Sequence, residues 1–573
     1  MSTVAGLQPF VVRGAQVVTT TVVTAARGNE DPALSATAAG YEAQPELVGM
    51  DVRVDASGRV CEIAPDISGL EGEEVIEAAG LVLSPGFIDL HSHSDLYALE
   101  RDGEQAPLGD QPKLLQGCTA QVFGQDGISA APVNEEELAD FAAMIAGLDG
   151  SIPLDSWTWR SFGEYQAALR QVASTRVAGL VGHSTIRRLV MGMENRPPTQ
   201  QELEKMAALI DQAMREGALG LSSGLVYVPA AYAKTGELVA LCEVVARRGG
   251  RFFVHVRSES DGVVEATREV LEVARRSGVH LHYSHIKTAG KPNWGHADTM
   301  LSLIEEYRQS GVSITADVHP YTAGSTTAAV LLPPWVLEGD MRKAMARLAV
   351  PEVRQRIRSQ ILTDTKSWDN WWAFSGGWEG LHIADAAREG VAGQSFAQLI
   401  KDEGVSDLHS QQAFDVVFDL LGQCDLNVSL ISFNNVEENI ARFMAQPYTG
   451  IGSDALVNPH GHPHPRLYGT FPRVLGRYVR QLHALDLGQA VHSMTSGAAS
   501  AAGWVGRGVI EVGKPADLVL FDPNNIEDRA TYDSPRLSPV GIERVWVGGR
   551  AVVVAGKLSQ AVPVAETGSA STI

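Results

Sequence analysis

Three helix ends set the architecture. Arg247-Arg248-Gly249, Arg275-Arg276-Ser277-Gly278 and Arg308-Gln309-Ser310-Gly311 each place cations in a last helical turn with glycine just beyond, and each is followed at once by a β-rich run. A fourth helix opens with Thr199 and Glu202 in capping-box spacing and carries Leu203, Met206, Ile210 and Met214 on one face. Repeated β-α-β-α order with short connections demands a parallel sheet, and so many units favour a (β/α)8 TIM-type barrel over an open sheet. Strand ends fall near residues 93, 126, 183, 227, 255, 285, 319 and 454, and Val428 to Phe433 is a further strand candidate.

The flanks have a different texture. Residues 9 to 83 and 505 to 560 alternate short strands with turns, and together they predict one small β-sandwich domain built from both ends of the chain. A segment between about 25 and 48, rich in Ala, Gly, Glu and Pro, reads as a mobile loop, and 561 to 573 as a disordered tail. The barrel then occupies 84 to 504, with an insertion at about 330 to 425. Four tryptophans in that insertion, Trp368, Trp371, Trp372 and Trp378, suit either a buried insert or a lid over the barrel mouth.

The chain has 573 residues, a formal net charge of −22 and a pI near 5.2, which argues against nucleic acid and anionic membrane as partners. Its four cysteines form no CxxC pair, so no disulfide framework is expected. No basic, apolar leader is visible, and no stretch approaches the ~20 apolar residues of a membrane helix. A cytoplasmic protein acting on a small molecule is the expectation, with homo-oligomerisation left open.

Chemistry concentrates at the strand ends. In Ile88-Asp89-Leu90-His91-Ser92-His93, strand periodicity turns both imidazoles to one face. His255 and His285 each stand late in an apolar run, and Asp454 follows Ile451-Gly452-Ser453. A lone histidine is usually a satisfied core group. Two on one strand, one on each of two later strands and an acid on the last form a joint pattern for metal. A catalytic zinc ion needs about three protein ligands and an open position for water that ionises near neutral pH. Asp454 is placed to carry the proton to a leaving nitrogen.

With these residues in order, the chain resembles the amidohydrolase superfamily and, within it, the N-acyl-D-amino-acid deacylases. The likeness runs through Gly86 to His93, Gly182-His183, Gly220 to Tyr227, His255 to Glu259, Ser284 to Lys287, Asp317 to Tyr321, Gly452-Ser453-Asp454 and Pro463 to Phe471. It implies a metal-carrying barrel that hydrolyses the linear amide of N-acyl-D-amino acids. His255 and His285 then look like ligands of a tightly held zinc, His91 and His93 like ligands of a second site, and Asp454 like the catalytic aspartate. Tyr227, Lys287 and Arg466 resemble residues that hold the substrate carboxylate.

One departure stands out. The family usually carries Asn-Cys-Gly after the second strand, with the thiolate on the zinc, whereas this chain reads Gly124-Gln125-Asp126-Gly127. Asp126 stands in the thiolate's place as a candidate metal ligand: it binds zinc there as a harder ligand, bridges two ions, or leaves the ligand set to face a loop, so the identity of the metal and a one-ion or two-ion site are open. Gly220 to Tyr227 contains no lysine, so a carbamylated-lysine bridge is not expected. Alternatives are an amidohydrolase of another amide, a dipeptide-like compound or a cyclic imide, and a non-catalytic metal-binding barrel. The run His460-Gly461-His462-Pro463-His464 reads as a loop over the mouth rather than a metal site.

Overall fold

The computed structural model describes residues 7–20, 45–101 and 105–559. Eight parallel strands close a barrel: β1 (Phe87–Asp89, continued by Ser92–His93), β2 (Cys118–Phe123), β3 (Arg176–Gly179, then Val181–Gly182), β4 (Gly220–Gly224), β5 (Arg251–His255), β6 (His280–Tyr283), β7 (Ile314–Val318) and β8 (Thr449–Ile451, then Ala455–Leu456). Each pairs with the next, and closure comes from Ala455 and Leu456 of β8 lying beside Ser92 and His93 of β1. The connecting helices end as their sequences require. Gly278 caps Val263–Ser277 with φ 72°, and Thr199 and Glu202 form a reciprocal capping box on Gln200–Arg215. Apolar faces of these helices and the strands merge into one core that includes Leu221, Phe252, Val254 and Leu281, with Cys118 buried in it.

The chain ends form one mixed sheet. Leu518–Phe521 runs antiparallel to Val82–Pro85, joining strands from the C-terminal segment to those from the N-terminal one. Its core holds Phe10, Val17, Val52 and Trp546, with the Phe10 and Trp546 rings stacked at 5.1 Å. Part of the expected loop is strand: Pro45–Val54 pairs with Phe10–Thr20 from Thr20 opposite Pro45, and a bulge between Val12 and Ala15 resets the register. The remainder, 25–44, and the expected tail 561–573 lie outside the described residues.

Barrel and sheet are tied by charge. Arg176 at the start of β3 grips Asp517 with Nε at 2.5 Å and Nη2 at 3.0 Å, Arg507 adds a contact at 3.2 Å, and the Gly548 N–H donates at 2.7 Å. Burial pushes the Asp517 carboxyl up, but Arg176 and Arg507 hold it below the usual carboxylate range. A lowered carboxyl stabilises the fold above the unfolded value near ~3.9 and loses that contribution as pH falls through its folded value. Asp517→Asn is expected to cost about 3 kcal/mol in urea unfolding at pH 7. The gap to wild type should narrow below about pH 4.

Between β7 and β8 the chain makes a long excursion wider than 330–425. Ala323–Thr327, Val428–Phe433 and Leu381–Ala386 form a three-stranded antiparallel sheet, backed by Phe396–Asp402 and Gln411–Gln423. Val428–Phe433 is therefore not a barrel strand. It has the apolar run of one, but both its partners are antiparallel strands of the insertion. Trp371 and Trp378 are buried inside this unit, and Phe374 packs against Gly290 above β6.

Candidate metal centre and active site

Six residues from five strand ends meet at the C-terminal mouth. His91 and His93 come from β1, Asp126 from the turn after β2, His255 ends β5, His285 follows β6 and Asp454 lies in the break between the two segments of β8. Asp126, His285 and Asp454 have φ of 54°, 34° and 53°, a left-handed backbone uncommon for residues with a Cβ that costs of order 1–3 kcal/mol where the surroundings impose it. Glycines make the Asp126 turn possible. At Gly124 a Cβ would meet the Leu180 carbonyl oxygen at 2.2 Å, and at Gly127 the Gly224 nitrogen at 2.8 Å. Gln125 Nε2 donates to the Leu90 carbonyl at 2.8 Å, which leaves Asp126 facing the barrel axis.

Asp126 sits at the centre. Its Oδ1 is 3.5 Å from His91 Nε2 and 3.4 Å from His285 Nε2; its Oδ2 is 3.7 Å from His93 Nε2 and 3.6 Å from His255 Nδ1. Asp454 Oδ1 lies 3.5 Å from His93 Nε2 and 3.8 Å from His91 Nε2. Two overlapping groups able to hold a metal result: His91, His93, Asp126 and Asp454, and Asp126, His255 and His285. The facing atoms fit. Two ligands each ~2.0–2.1 Å from a tetrahedral ion stand roughly 3.3–3.4 Å apart, close to these spacings. His91 Nε2, His93 Nε2, His255 Nδ1 and Asp126 Oδ1 are buried with no hydrogen-bond partner in the protein. Polar atoms are rarely left so.

The electrostatics agree. Burial pushes the Asp126 and Asp454 carboxyls up, yet His91 and His285 around the first and Arg466 beside the second hold both well below the usual range. Burial and Lys287 pull His285 down, but Asp126, Asp454 and Glu259 carry it up to about 10. The cluster is built to hold positive charge.

Around it lies a supporting layer that sequence reasoning did not single out. Asp149 Oδ1 is 2.8 Å from His93 Nδ1, and Asp317 accepts the His285 N–H at 2.9 Å and lies 2.8 Å from His282 Nε2. Lys113 bridges Asp89 and Ser453, each at 2.6 Å, while the Asp454 N–H donates to the His91 carbonyl at 2.7 Å, locking β1 to β8. Glu259 Oε1 takes Lys287 Nζ at 2.7 Å and lies 3.0 Å from His285 Nδ1. Asp89, Glu259 and Asp317 fell inside motifs already noted; Asp149, at the end of a connecting helix, carried no signal. Asp149→Asn is expected to weaken metal binding on the His91 and His93 side by about 10–100-fold and spare the other side, as a metal titration would read.

Of the expected carboxylate-holding residues, Arg466 is fully buried, with Nη1 2.8 Å from Asp454 Oδ2 and Nη2 2.9 Å from the Ser325 carbonyl. Its Nε has no partner. Lys287 is held by Glu259 and by His285 Nδ1 at 2.8 Å, and the Tyr227 hydroxyl pairs with Thr326 Oγ1 at 2.8 Å. His319, just past β7, is an addition: it is buried, neither ring nitrogen has a partner, and Arg466, Lys287, Asp454 and His285 all act on it electrostatically. In the histidine-rich loop, His464 Nε2 pairs with the Ala323 carbonyl at 3.0 Å and His462 Nε2 with that of Tyr532 at 2.6 Å, so both serve the loop. Among the described residues no helix is long and apolar enough to cross a membrane.

A closed (β/α)8 barrel with histidine and carboxylate clusters at its C-terminal mouth is the architecture of a metal-binding hydrolase. The chain belongs to the amidohydrolase family, whose model matches residues 74–553, and is a hydrolase of carbon–nitrogen bonds. It is 34% identical to D-aminoacylase of Alcaligenes xylosoxydans xylosoxydans over 85% of this chain and 87% of that one. It is 32% identical to N-acyl-D-aspartate deacylase of the same organism over 86% of each. Among solved structures, N-acyl-D-glutamate deacylase from Bordetella bronchiseptica, complexed with zinc and a phosphonate mimic of the tetrahedral intermediate, superposes with a TM-score of 0.75 at 29% identity, covering 97% of this chain and all of that one. A D-aminoacylase with a binuclear metal centre superposes at 0.73 and 31% identity, covering 96% and 98%.

Proposed function

We propose that the protein hydrolyses N-acyl-D-amino acids to a carboxylate and a free D-amino acid. One observation carries the reading: the ionised Asp454 lies between the metal-binding cluster and a buried corner where the cations of Arg466 and Lys287 flank the imidazole of His319, which burial and those two cations keep neutral. An amide beside a carboxylate needs both.

His255, His285 and Asp126 would hold one divalent ion, and His91, His93, Asp126 and Asp454 a second; zinc, present in the Bordetella relative, suits histidine and carboxylate ligands. When bound, such an ion polarises the amide carbonyl and acidifies water. Everything else falls to the chain. Arg466 holds Asp454 Oδ2, leaving Oδ1 toward the cluster to take the proton of the attacking water and pass it to the amide nitrogen as the C–N bond breaks. Arg466, Lys287, His319 and Tyr227 orient the substrate carboxylate, with Arg466 offering its free Nε. The D configuration is supported by the relatives.

Purified protein is expected to release D-amino acids from their N-acetyl derivatives and to leave the L-enantiomers intact. Turnover of neither would sink the proposal. The carboxylate at 126, where the D-aminoacylase pattern has cysteine, favours a second reading in which another amide, dipeptide-like or cyclic imide is the substrate. A kinetic panel of linear and cyclic amides separates the two.

A further inference from the structure

We propose that Asp369, in the tryptophan-rich insertion, is a positioning residue for the metal-binding group of Asp126, His255 and His285, and that it acts by fixing the backbone of Glu259. This rests on the metal-holding part of the reading above and not on the choice of substrate. His255 Nδ1 and His285 Nε2 face Asp126, so their other ring nitrogens point away from any ion held there. Those two nitrogens share one neighbour: Glu259 Oε1 lies 3.0 Å from His285 Nδ1 and 3.8 Å from His255 Nε2. A carboxylate in that place sets the tautomer and the aim of a ligating imidazole.

What aims Glu259 is its backbone. Its Oε2 is buried with no partner in the protein, and Oε1 is held by Lys287 Nζ at 2.7 Å, the end of a long and pliable chain. The main chain is fixed more firmly. The Glu259 carbonyl accepts the Ala289 N–H at 2.6 Å, and the Glu259 N–H donates to Asp369 Oδ2 at 3.1 Å. Ser258 Oγ donates to Asp369 Oδ1 at 2.7 Å, and Ser260 Oγ donates to the same oxygen. Three consecutive residues therefore give their donors to one carboxylate, with Glu259 in the middle.

That carboxylate comes from outside the barrel, and its own seat is tied down. Asp369 is buried, and the neighbouring Asn370 Nδ2 donates to the Ile361 and Asp364 carbonyls at 2.7 and 2.9 Å while its Oδ1 accepts the Ala373 N–H at 3.1 Å. Further along, Phe374 packs on Gly290, where a Cβ would meet the Phe374 Cβ at 2.8 Å. Gly290 belongs to the loop after β6 that carries His285 and Lys287. The run 369–374 thus braces the loops after β5 and β6, beside His255 and His285, whereas His93 draws its carboxylate from Asp149 on a different helix. Each half of the centre has its own outer support.

The test is zinc binding by chelator-stripped protein, measured by competition with a chelating dye, with His255→Ala assigning the binding step that belongs to this side. Asp369→Ala is expected to weaken that step by about 10–100-fold and to leave the His91 and His93 step within about twofold of wild type, the reverse of Asp149→Asn. Asp369→Asn should stay within about threefold of wild type, because its carbonyl can take the Glu259 N–H while its amide turns to the serine oxygens. In a Glu259→Ala background the loss of Asp369 should add less than about twofold, since a residue that acts through another adds nothing once that other is gone. Should Asp369→Ala fail to fold, the Ser258→Ala, Ser260→Ala double variant removes two of the three hydrogen bonds from the barrel side, and a loss of at least about threefold confined to the same step is expected. Unchanged zinc affinity in a folded variant, equal loss at both steps, or a full further loss on top of Glu259→Ala overturns the inference while leaving the metal centre in place. A wild-type protein that binds no zinc on this side removes the centre and the inference together.

Discussion

Asp454→Asn is expected to lower kcat by about a thousandfold or more while leaving KM within severalfold, the size of effect seen when a positioned proton carrier is lost. The substitution keeps the shape of the side chain and an oxygen toward His93, so cluster geometry is little disturbed. What disappears is charge. An amide cannot take a proton from water at Oδ1, and the guanidinium of Arg466, 2.8 Å from Oδ2 in the native protein, is left buried without its anion. Elemental analysis separates the two duties of Asp454. If metal bound by the Asp126, His255 and His285 group is retained while turnover is lost, the residue acts on the proton; if turnover stays within tenfold of wild type, the mechanism is wrong. Circular dichroism guards against misfolding as a trivial cause.

Why some of this was legible in sequence and some was not follows from what each feature depends on. The barrel rested on local signals: cations and glycine at helix ends, capping boxes, strand-length apolar runs. Those are set by nearest neighbours, and the strands fall where they were placed. Val428–Phe433 has the same local texture as a barrel strand, and only its partners, antiparallel strands on either side, distinguish it. Partnership is non-local. The N-terminal strand shows the same limit, since Pro45 enters the sheet through pairing with Thr20 rather than through its own propensity. The chemistry-bearing residues were visible because histidines at strand ends are rare and ordered. His319 and Ser453 lay inside noted motifs without a role and Asp149 lay outside them, because their significance lies in which atoms around them are satisfied. A buried imidazole with two free nitrogens and one fully bonded are the same letter in a sequence.

Asp126 is where the sequence left its readings open: its carboxylate faces four histidines, two on each oxygen, and is common to both groups that could hold a metal. Removing it should therefore be felt on both sides. Asp126→Ala is expected to lose metal from both groups together, with affinity falling by more than the ~10–100-fold that outer hydrogen-bond partners command, and turnover falling with it. Loss from one group alone would mean that the carboxylate does not bridge, and metal content equal to wild type would remove it from the ligand set. Four buried imidazoles are also left without the carboxylate they face, so the variant should be less stable than wild type even without metal. Asp126→Cys separates ligand charge from ligand hardness. A thiolate restores the negative charge but favours softer ions, so this variant should take up zinc and discriminate against manganese, whereas the native carboxylate accepts either. Competition between the two metals, followed by elemental analysis of both proteins, reads the difference. If wild type and Asp126→Cys show the same preference, the histidines rather than residue 126 choose the ion, and the carboxylate serves to hold the two halves of the centre together.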